Sequence, residues 1–302
     1  MSDKRLVRIA GAVPVLVMPF DDDGAVDEDS LRRQIDFCLE AGAQAIAFGM
    51  GSESATLTDA ERSRVWSLTA EHLDGQLPLV AATTHVSCEG TIALTHLARE
   101  CGADCAMVNP QPRSGEQLVA LFRDLSEQVD LPLMIQDAGG NAPAEVLLRA
   151  TREATRVVSL KIESPATPHK IGQVVAGLHE SGLAGGGTRD VTVLGGANGN
   201  FLPEELERGS VGTLPFPAII DAYRIVCDCY AAGDAAGGRE NYLQLILPLL
   251  RIVAAGSSGS EVIWLHKAIF QRDGILSTTY CRIGATPLPE WIMERVWQHL
   301  RR

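Results

Sequence analysis

The chain has 302 residues, of which 46% are hydrophobic, and its formal net charge at pH 7 is −12. This length and apolar content suit one barrel-sized domain with an appendage, or two ordinary domains. The negative charge, which no basic stripe offsets, excludes the usual nucleic-acid-binding and anionic-membrane-binding classes. No apolar run reaches the roughly 20 residues that span a bilayer. The first residues also lack the apolar stretch of a signal peptide, so we expect a cytoplasmic protein.

Short apolar runs rich in Val, Ile, Leu and Ala recur along the first two thirds of the chain, and each is followed by a helical pattern. This alternation is typical of parallel βα units. Eight such units within roughly 225 residues predict a (β/α)8 TIM barrel rather than an open doubly wound sheet. The eight predicted strands are 13–20, 45–50, 77–84, 105–110, 131–137, 157–163, 191–196 and 211–216.

Beyond residue 222 the strand patterns stop and only helical patterns remain. The predicted helices are 223–232, 241–255, 261–272 and 289–302. We therefore expect a barrel over residues 1–222 and a C-terminal helical domain over residues 223–302. The weakly charged segment 242–255 is compatible with a subunit interface.

Cysteine and histidine spacing gives no sign of a metal site. The seven cysteines form no CxxC pair with matching histidines. We therefore expect buried free thiols rather than disulfides or metal ligands, and we expect neither a metal nor a cofactor.

Lys161 stands alone among apolar residues in the sixth predicted strand and is followed closely by Glu163. A buried ammonium must be paired or must lose its proton, because an isolated charge in an apolar interior is too costly. A neutral buried amine is a nucleophile that forms Schiff bases with carbonyl substrates. The alternative is a structural lysine at a strand end, whose ammonium pairs with Glu163 or reaches solvent. This segment by itself leaves both interpretations open.

The active site of a (β/α)8 barrel lies at the carboxyl ends of its strands. Two of these ends are glycine-rich, and the N–H groups of such loops can bind a carboxylate, although each loop could also be an ordinary tight turn. Together with a buried lysine they predict a site for a 2-oxo acid. The candidate site residues are Gly49, Met50, Gly51, Ser52, His85, Gln136, Lys161, Glu163, Gly195, Gly196 and Asn198.

Three segments carry a resemblance to a known family through their order and spacing. They are GAVPVLVMPF at 11–20, GSESATLT at 51–58 and LKIE at 160–163. The chain resembles the dihydrodipicolinate synthase and N-acetylneuraminate lyase family, whose members are class I Schiff-base lyases on a barrel with a C-terminal helical domain. The resemblance implies that Lys161 forms an imine with pyruvate or a related 2-oxo acid. It also implies that the loop after the second strand holds the carboxylate, and that the protein is a homo-oligomer, either a dimer or a tetramer.

The chain departs from the family pattern at the carboxylate loop and on the fifth strand. Met50 and Gly51 replace two hydroxyl residues, which leaves backbone donors and Ser52. Gln136 stands where typical members carry a catalytic tyrosine, and an amide cannot replace a phenol as a proton shuttle. The arginine of the lysine-pathway enzymes falls near Asn141, and 111–112 replaces an aromatic pair. These losses argue against dihydrodipicolinate synthesis itself.

A proton shuttle must substitute for the missing phenol. His85 is the predicted shuttle, because it is the histidine expected at the barrel rim and histidine titrates near neutrality. Glu163, Asp137 and a water held by Gln136 are the alternatives.

Three function classes remain open. The first is a Schiff-base lyase, an aldolase or a dehydratase, that acts on a 2-oxo acid or a 2-oxo-3-deoxy sugar acid. The second is a synthase that condenses pyruvate with an aldehyde, and the third is a non-catalytic descendant that keeps the barrel. The fold alone cannot decide among them.

Overall fold

A computed structural model describes residues 7–140, 142–185, 189–257 and 259–300. Eight parallel strands form one sheet in the order β1-β8-β7-β6-β5-β4-β3-β2. Backbone N–H groups close this sheet between its two ends, Leu16 to Ala47 O at 2.9 Å and Ala47 to Pro14 O at 3.0 Å. The predicted barrel is confirmed. Its strands are β1 Gly11–Ala12, β2 Ile46–Ala47, β3 Leu79–Ala82, β4 Cys105–Val108, β5 Leu133–Asp137, β6 Val157–Ile162, β7 Thr192–Gly195 and β8 Gly212–Thr213.

The strands are shorter than the apolar runs that predicted them, and β1 lies ahead of its run. Residues 13–18 are buried, but beyond Ala12 the first strand pairs with the second only through the bridge from Val15 to Ala47. Apolar runs report burial, and burial in a barrel continues past the last ladder hydrogen bond because loops cover the strand ends.

Each strand is followed by a helix that packs on the outside of the barrel. Helix α2 begins with a capping box. The Thr58 hydroxyl accepts from the Glu61 N–H at 3.2 Å, and the Glu61 carboxylate accepts from the Thr58 N–H at 2.8 Å. The helices are α1 Glu28–Glu40, α2 Asp59–Leu73, α3 Cys88–Glu100, α4 Gly115–Gln128, α5 Ala144–Glu153, α6 Thr167–Glu180, α7 Leu202–Leu206 and α8 Ile220–Ala231.

The C-terminal appendage is helical, as predicted. It contains α9 Ala235–Asn241, a π-helical turn Tyr242–Ile246, α10 Leu247–Ala254, α11 Glu261–Arg272 and α12 Glu290–Leu300. Helix α8 packs against β1 and completes the eighth βα unit. We therefore propose that the appendage begins after Ala231 rather than at the expected residue 223. Among the described residues, no helix is both long and apolar enough to cross a membrane.

Apolar side chains fill two layers, one inside the barrel and one between the strands and the helices. Leu194, the β7 residue that pairs with Lys161, belongs to the inner layer, whereas Leu160 and Ile162 belong to the outer layer. Side chains alternate across a strand, so Lys161, which lies between these two outer residues, is directed to the interior. The register of β5 and β6 shifts between Leu133 and Met134.

A buried ion pair joins the appendage to the barrel. Lys267 on α11 donates to Glu53 Oε1 at 2.5 Å and to the Tyr280 carbonyl at 2.6 Å. Glu53 Oε2 accepts from the Ile283 N–H at 3.0 Å. Both charged side chains are fully buried. Because Glu53 follows β2, this pair fixes the position of the loop that was predicted to hold the substrate carboxylate.

Candidate active site

A cavity of about 650 Å³ opens at the carboxyl ends of the strands, between the barrel and helices α10 and α11. Its position is the one that the barrel fold assigns to an active site. The polar side chains that line it among the described residues are Gln136, Lys161, Glu163, Asn198, Asn200 and Ser257. Four of the predicted site residues are therefore brought together here by β5, β6 and the loop after β7.

Lys161 lies on the floor of the cavity and is 5% exposed, so the predicted burial is confirmed. Its Nζ is 3.1 Å from Glu163 Oε1. The two residues are two positions apart at the end of β6, which brings their side chains to the same side of the chain. The pair places a carboxylate within proton-transfer distance of the amine.

Glu163 is held by three donors. Besides Lys161, the Gln136 amide donates to Oε2 at 2.7 Å and the Ala197 N–H donates to Oε1 at 3.0 Å. Burial alone would raise the pKa of this carboxyl group, but the positive charge of Lys161 and these hydrogen bonds outweigh it, so the pKa of Glu163 lies below its ordinary value. The carboxylate is therefore the resting form.

The loop after β7 is fixed by two tyrosines that the sequence did not single out. Tyr223 on α8 donates its hydroxyl to the Asn198 carbonyl at 2.7 Å, and Tyr242 donates to the Asn200 carbonyl at 2.7 Å. The Asn198 side chain accepts from the Phe216 N–H at 3.0 Å. Ala197 and Asn198 have φ values of 48° and 56°. This held conformation aims the Ala197 N–H at Glu163.

The carboxylate-loop candidates divide into structural and cavity-lining residues. Ser52 is buried, and its Oγ donates to the Leu16 carbonyl at 2.5 Å and accepts from the Gly49 N–H at 3.0 Å. Neither Gly49 nor Ser52 therefore offers its donor to a ligand. Met50 and Gly51 line the cavity and open the short 3₁₀ helix Met50–Ser52. The first N–H groups of such a helix have no acceptor within it.

Gly195 and Gly196 were predicted to bind substrate, but neither lines the cavity. A Cβ on Gly195 would lie 1.8 Å from Glu205 Oε2, and one on Gly196 would lie 2.3 Å from Glu163 Cγ. Glycine is required at these positions because the carboxyl side chains of Glu205 and Glu163 pack on the backbone there.

His85 was the predicted proton shuttle, and the structure places it outside the cavity lining. Its side chain is exposed, and Nδ1 accepts from the Ser87 N–H at 3.1 Å at the start of α3. The sequence predicts His85 at the end of the third strand, and the residue lies in the loop between β3, which ends at Ala82, and α3. The sequence could not show that the ring turns toward the helix N-terminus, because that direction depends on the loop conformation.

The other described lysines are paired away from the cavity. Lys170 on α6 donates to Asp137 Oδ2 at 2.8 Å, and Lys267 pairs with Glu53. Asp137 is thereby engaged with Lys170, and neither of the two lines the cavity. Of the described lysines, Lys161 is the one that faces the cavity. Within the same ranges, no group of three His, Cys, Asp or Glu residues is placed to hold a metal ion.

Glu205 on α7 is a buried carboxyl group behind the cavity floor, 1% exposed, whose Oε2 has no hydrogen-bond partner among the described residues. Burial raises the pKa of Glu205 to about 7; a hydrogen bond from Thr167 opposes the rise, and the Glu204 and Glu163 carboxylates add to it. Its pKa in the folded state therefore lies above the ordinary value of 4.5. As pH rises from about 4.5 to about 7 the unfolded chain loses this proton first, so folding stability falls over that range.

Glu205→Gln is expected to remove most of this pH dependence. A shift of this size corresponds to about 3 kcal/mol of unfolding free energy between pH 5 and pH 8. Urea unfolding of both proteins at the two pH values measures the difference. The exposed Glu145→Gln variant is the control and should follow the wild type. Parallel changes in the wild type and Glu205→Gln would contradict the assignment of a raised pKa.

One wall of the cavity comes from residues that sequence reasoning treated only as packing or interface positions. Helix α10 supplies Leu250, Val253 and Ala254, and α11 supplies Val262. No local motif marks such residues. Their contribution depends on how the appendage folds back over the barrel mouth.

Comparison with known proteins supports the resemblance over nearly the whole chain. The model of the dihydrodipicolinate synthetase family matches residues 8–301. A 4-hydroxy-tetrahydrodipicolinate synthase of Pseudomonas aeruginosa is 30% identical over 305 residues, covering 97% of this chain and 97% of that protein. An L-2-keto-3-deoxyarabonate dehydratase of Azospirillum brasilense is 26% identical over 303 residues, covering 96% of this chain and 92% of that protein.

Solved structures show the same fold. The crystal structure of dihydrodipicolinate synthase from Thermotoga maritima superposes with a TM-score of 0.86 at 24% identity, covering 98% of each chain. That from Rhodopseudomonas palustris has a TM-score of 0.86 at 24% identity and covers 97% of each chain. The chain therefore belongs to the dihydrodipicolinate synthetase family, and it is a class I lyase of the kind that acts through a lysine Schiff base.

Proposed function

We propose that Lys161 is the imine-forming residue of a lyase acting on a 2-oxo acid, and that Glu163 moves the protons. The observation that carries this proposal is the 3.1 Å approach of Lys161 Nζ to Glu163 Oε1 on the cavity floor. A nucleophile beside its base is the arrangement that covalent catalysis requires.

The pair can carry the early steps without another titratable group. Glu163 accepts a proton from the Lys161 ammonium, and the neutral amine attacks the keto carbon of the substrate. The nitrogen of the adduct passes one proton to the alkoxide oxygen, which becomes a hydroxyl. The protonated carboxyl then donates to the leaving hydroxyl, so one water departs as the imine forms. In aldol cleavage, Glu163 next accepts the proton of the 4-hydroxyl while the C3–C4 bond breaks. The electron pair of that bond moves into the imine, which becomes an enamine.

We propose that the free N–H groups of Met50 and Gly51 hold the substrate carboxylate. They lie at the start of a short helix on the cavity wall, and backbone donors of this kind suit an oxygen anion. Gln136 and Asn198 then act as positioning residues, the first through Glu163 and the second through the loop after β7.

The synthase direction remains the second candidate, because one relative carries the name of a synthase. The position aligned with the arginine of the lysine-pathway enzymes, Asn141, lies outside the described residues. No arginine among the described residues lines the cavity. The intact pair of Lys161 and Glu163 argues against a non-catalytic descendant.

We further propose, as the resemblance implies, a cytoplasmic homo-oligomer. Leu243, near the start of the expected interface segment 242–255, is exposed.

Borohydride reduction in the presence of pyruvate is expected to add one covalent adduct at Lys161. The chain has four lysines, so peptide mapping after intact-mass measurement assigns the position without ambiguity. Lys170 and Lys267 are buried lysines that face away from the cavity and serve as internal controls. Lys161→Ala should give no adduct. A folded wild-type protein that stays unmodified across a panel of 2-oxo acids would refute the proposal.

A further inference from the structure

The cavity has a charged end and an uncharged end. Among the described residues, the charged side chains that line it are Lys161 and Glu163, and both are used by the proposed reaction. The opposite wall, made by the appendage and the loop after β8, presents Phe216, Leu250, Val253 and other apolar side chains. A substrate bound as an imine to Lys161 would extend its substituent toward this wall.

Among the described residues, each of the four uncharged polar side chains of the lining already makes a hydrogen bond within the protein, including Gln136 through its amide donor to Glu163. The Asn198 Oδ1 accepts from Phe216, and the Asn200 Nδ2 donates to the Ala197 carbonyl at 2.6 Å. The Ser257 Oγ donates to Glu261 at 3.3 Å. A substituent that carries several hydroxyl groups would therefore give up hydrogen bonds to water and find few replacements.

A second carboxylate on the substrate would bind less favourably still than a hydroxylated substituent. No described arginine or lysine lines the cavity beyond Lys161, and the protein carries a net charge of −12. A carboxylate placed against Phe216, Leu250 and Val253 would lose its hydration without gaining a cation.

We infer that the substrate is a 2-oxo acid whose substituent beyond C3 is a hydrocarbon, either an aromatic ring or an alkyl chain. This inference rests on the proposed function and narrows its substrate class. In the cleavage direction, a 4-hydroxy-2-oxo acid that carries the hydrocarbon at C4 gives pyruvate and an apolar aldehyde. The 4-hydroxyl loses its proton to Glu163, the C3–C4 bond breaks, and protonation of the enamine at C3 followed by hydrolysis of the imine releases pyruvate.

The test measures imine formation alone, so it does not depend on the direction of the reaction. The concentration that gives half-maximal borohydride trapping at Lys161 is compared for 2-oxo-4-phenylbutanoate and 2-oxooctanoate against 2-oxoglutarate and 2-oxo-3-deoxygluconate. We expect the two apolar acids to trap at concentrations at least tenfold lower, since burial of a few methylenes discriminates by 10-fold or more. An equal or opposite preference would overturn the inference.

A pair of adjacent variants locates the preference in the cavity. Ala254 lines the cavity on α10, whereas the neighbouring Ala255 does not, and both are exposed enough to accept a larger side chain. Ala254→Arg should weaken trapping of 2-oxo-4-phenylbutanoate at least tenfold and strengthen that of 2-oxoglutarate. Ala255→Arg should keep the wild-type order.

The outcomes distinguish a wrong substrate class from a wrong lyase assignment. If pyruvate traps at Lys161 but the substituted acids show no apolar preference, the substrate class is wrong and the lyase proposal stands. If Ala255→Arg shifts the order as much as Ala254→Arg, the effect does not arise from this wall and the inference is wrong. If no 2-oxo acid traps at all, the proposed function itself fails.

Discussion

Glu163→Gln is expected to lower the rate of proton transfer at C3 of bound pyruvate by about 10²- to 10⁴-fold. Glu163 is the carboxylate closest to the imine lysine, and a glutamine amide of nearly the same shape cannot accept a proton. The exchange of pyruvate methyl protons for deuterium, followed by NMR in D₂O, measures this step without knowledge of the natural substrate. Trapping at Lys161 should become slower, because Glu163 also serves imine formation, but it should still reach one adduct at saturating pyruvate because the lysine itself is retained.

His85→Gln is the matched comparison, since it makes the same kind of change at the residue that the sequence favoured as the shuttle. The exposed ring of His85 lies outside the cavity, so its exchange rate should stay within about twofold of the wild type. A large loss in His85→Gln together with a normal rate in Glu163→Gln would reverse the assignment.

Lys267→Met is expected to destabilise the fold by about 3 to 5 kcal/mol. The substitution leaves the Glu53 carboxylate buried without its cation, beside Phe20 and the chain near Tyr280. Urea unfolding at pH 7 measures the change in unfolding free energy.

Two further variants separate a buried unpaired charge from a simple loss of packing. The double variant Glu53→Gln with Lys267→Met removes both charges and should recover part of the loss. Arg32→Met breaks ion pairs on the surface of α1 and should cost no more than about 1 kcal/mol. If Lys267→Met is no worse than Arg32→Met, the pair does not stabilise the junction between barrel and appendage.

Local patterns were sufficient for the architecture. Alternating apolar runs and helical patterns predicted the barrel and the helical appendage, because burial and backbone hydrogen bonding impose these periods on any chain that adopts them. The boundaries were less accurate. The predicted strands run past the ladders, because burial continues where strand pairing stops.

The sequence also determined that a lysine would be buried in the sixth strand beside a glutamate. Side chains alternate along a strand, and a charge within an apolar run must be paired because an isolated buried charge is too costly. Only the tertiary structure decided which loop groups share the cavity with that lysine. Ser52 and Gly195 turned out to be held by internal contacts, and His85 turned toward a helix start. The apolar wall likewise joins residues that are distant in the chain, since Val253 lines the same cavity as Lys161, some 90 positions before it. The packing of the appendage on the barrel brings these residues to one cavity, and no single segment of the sequence determines that packing.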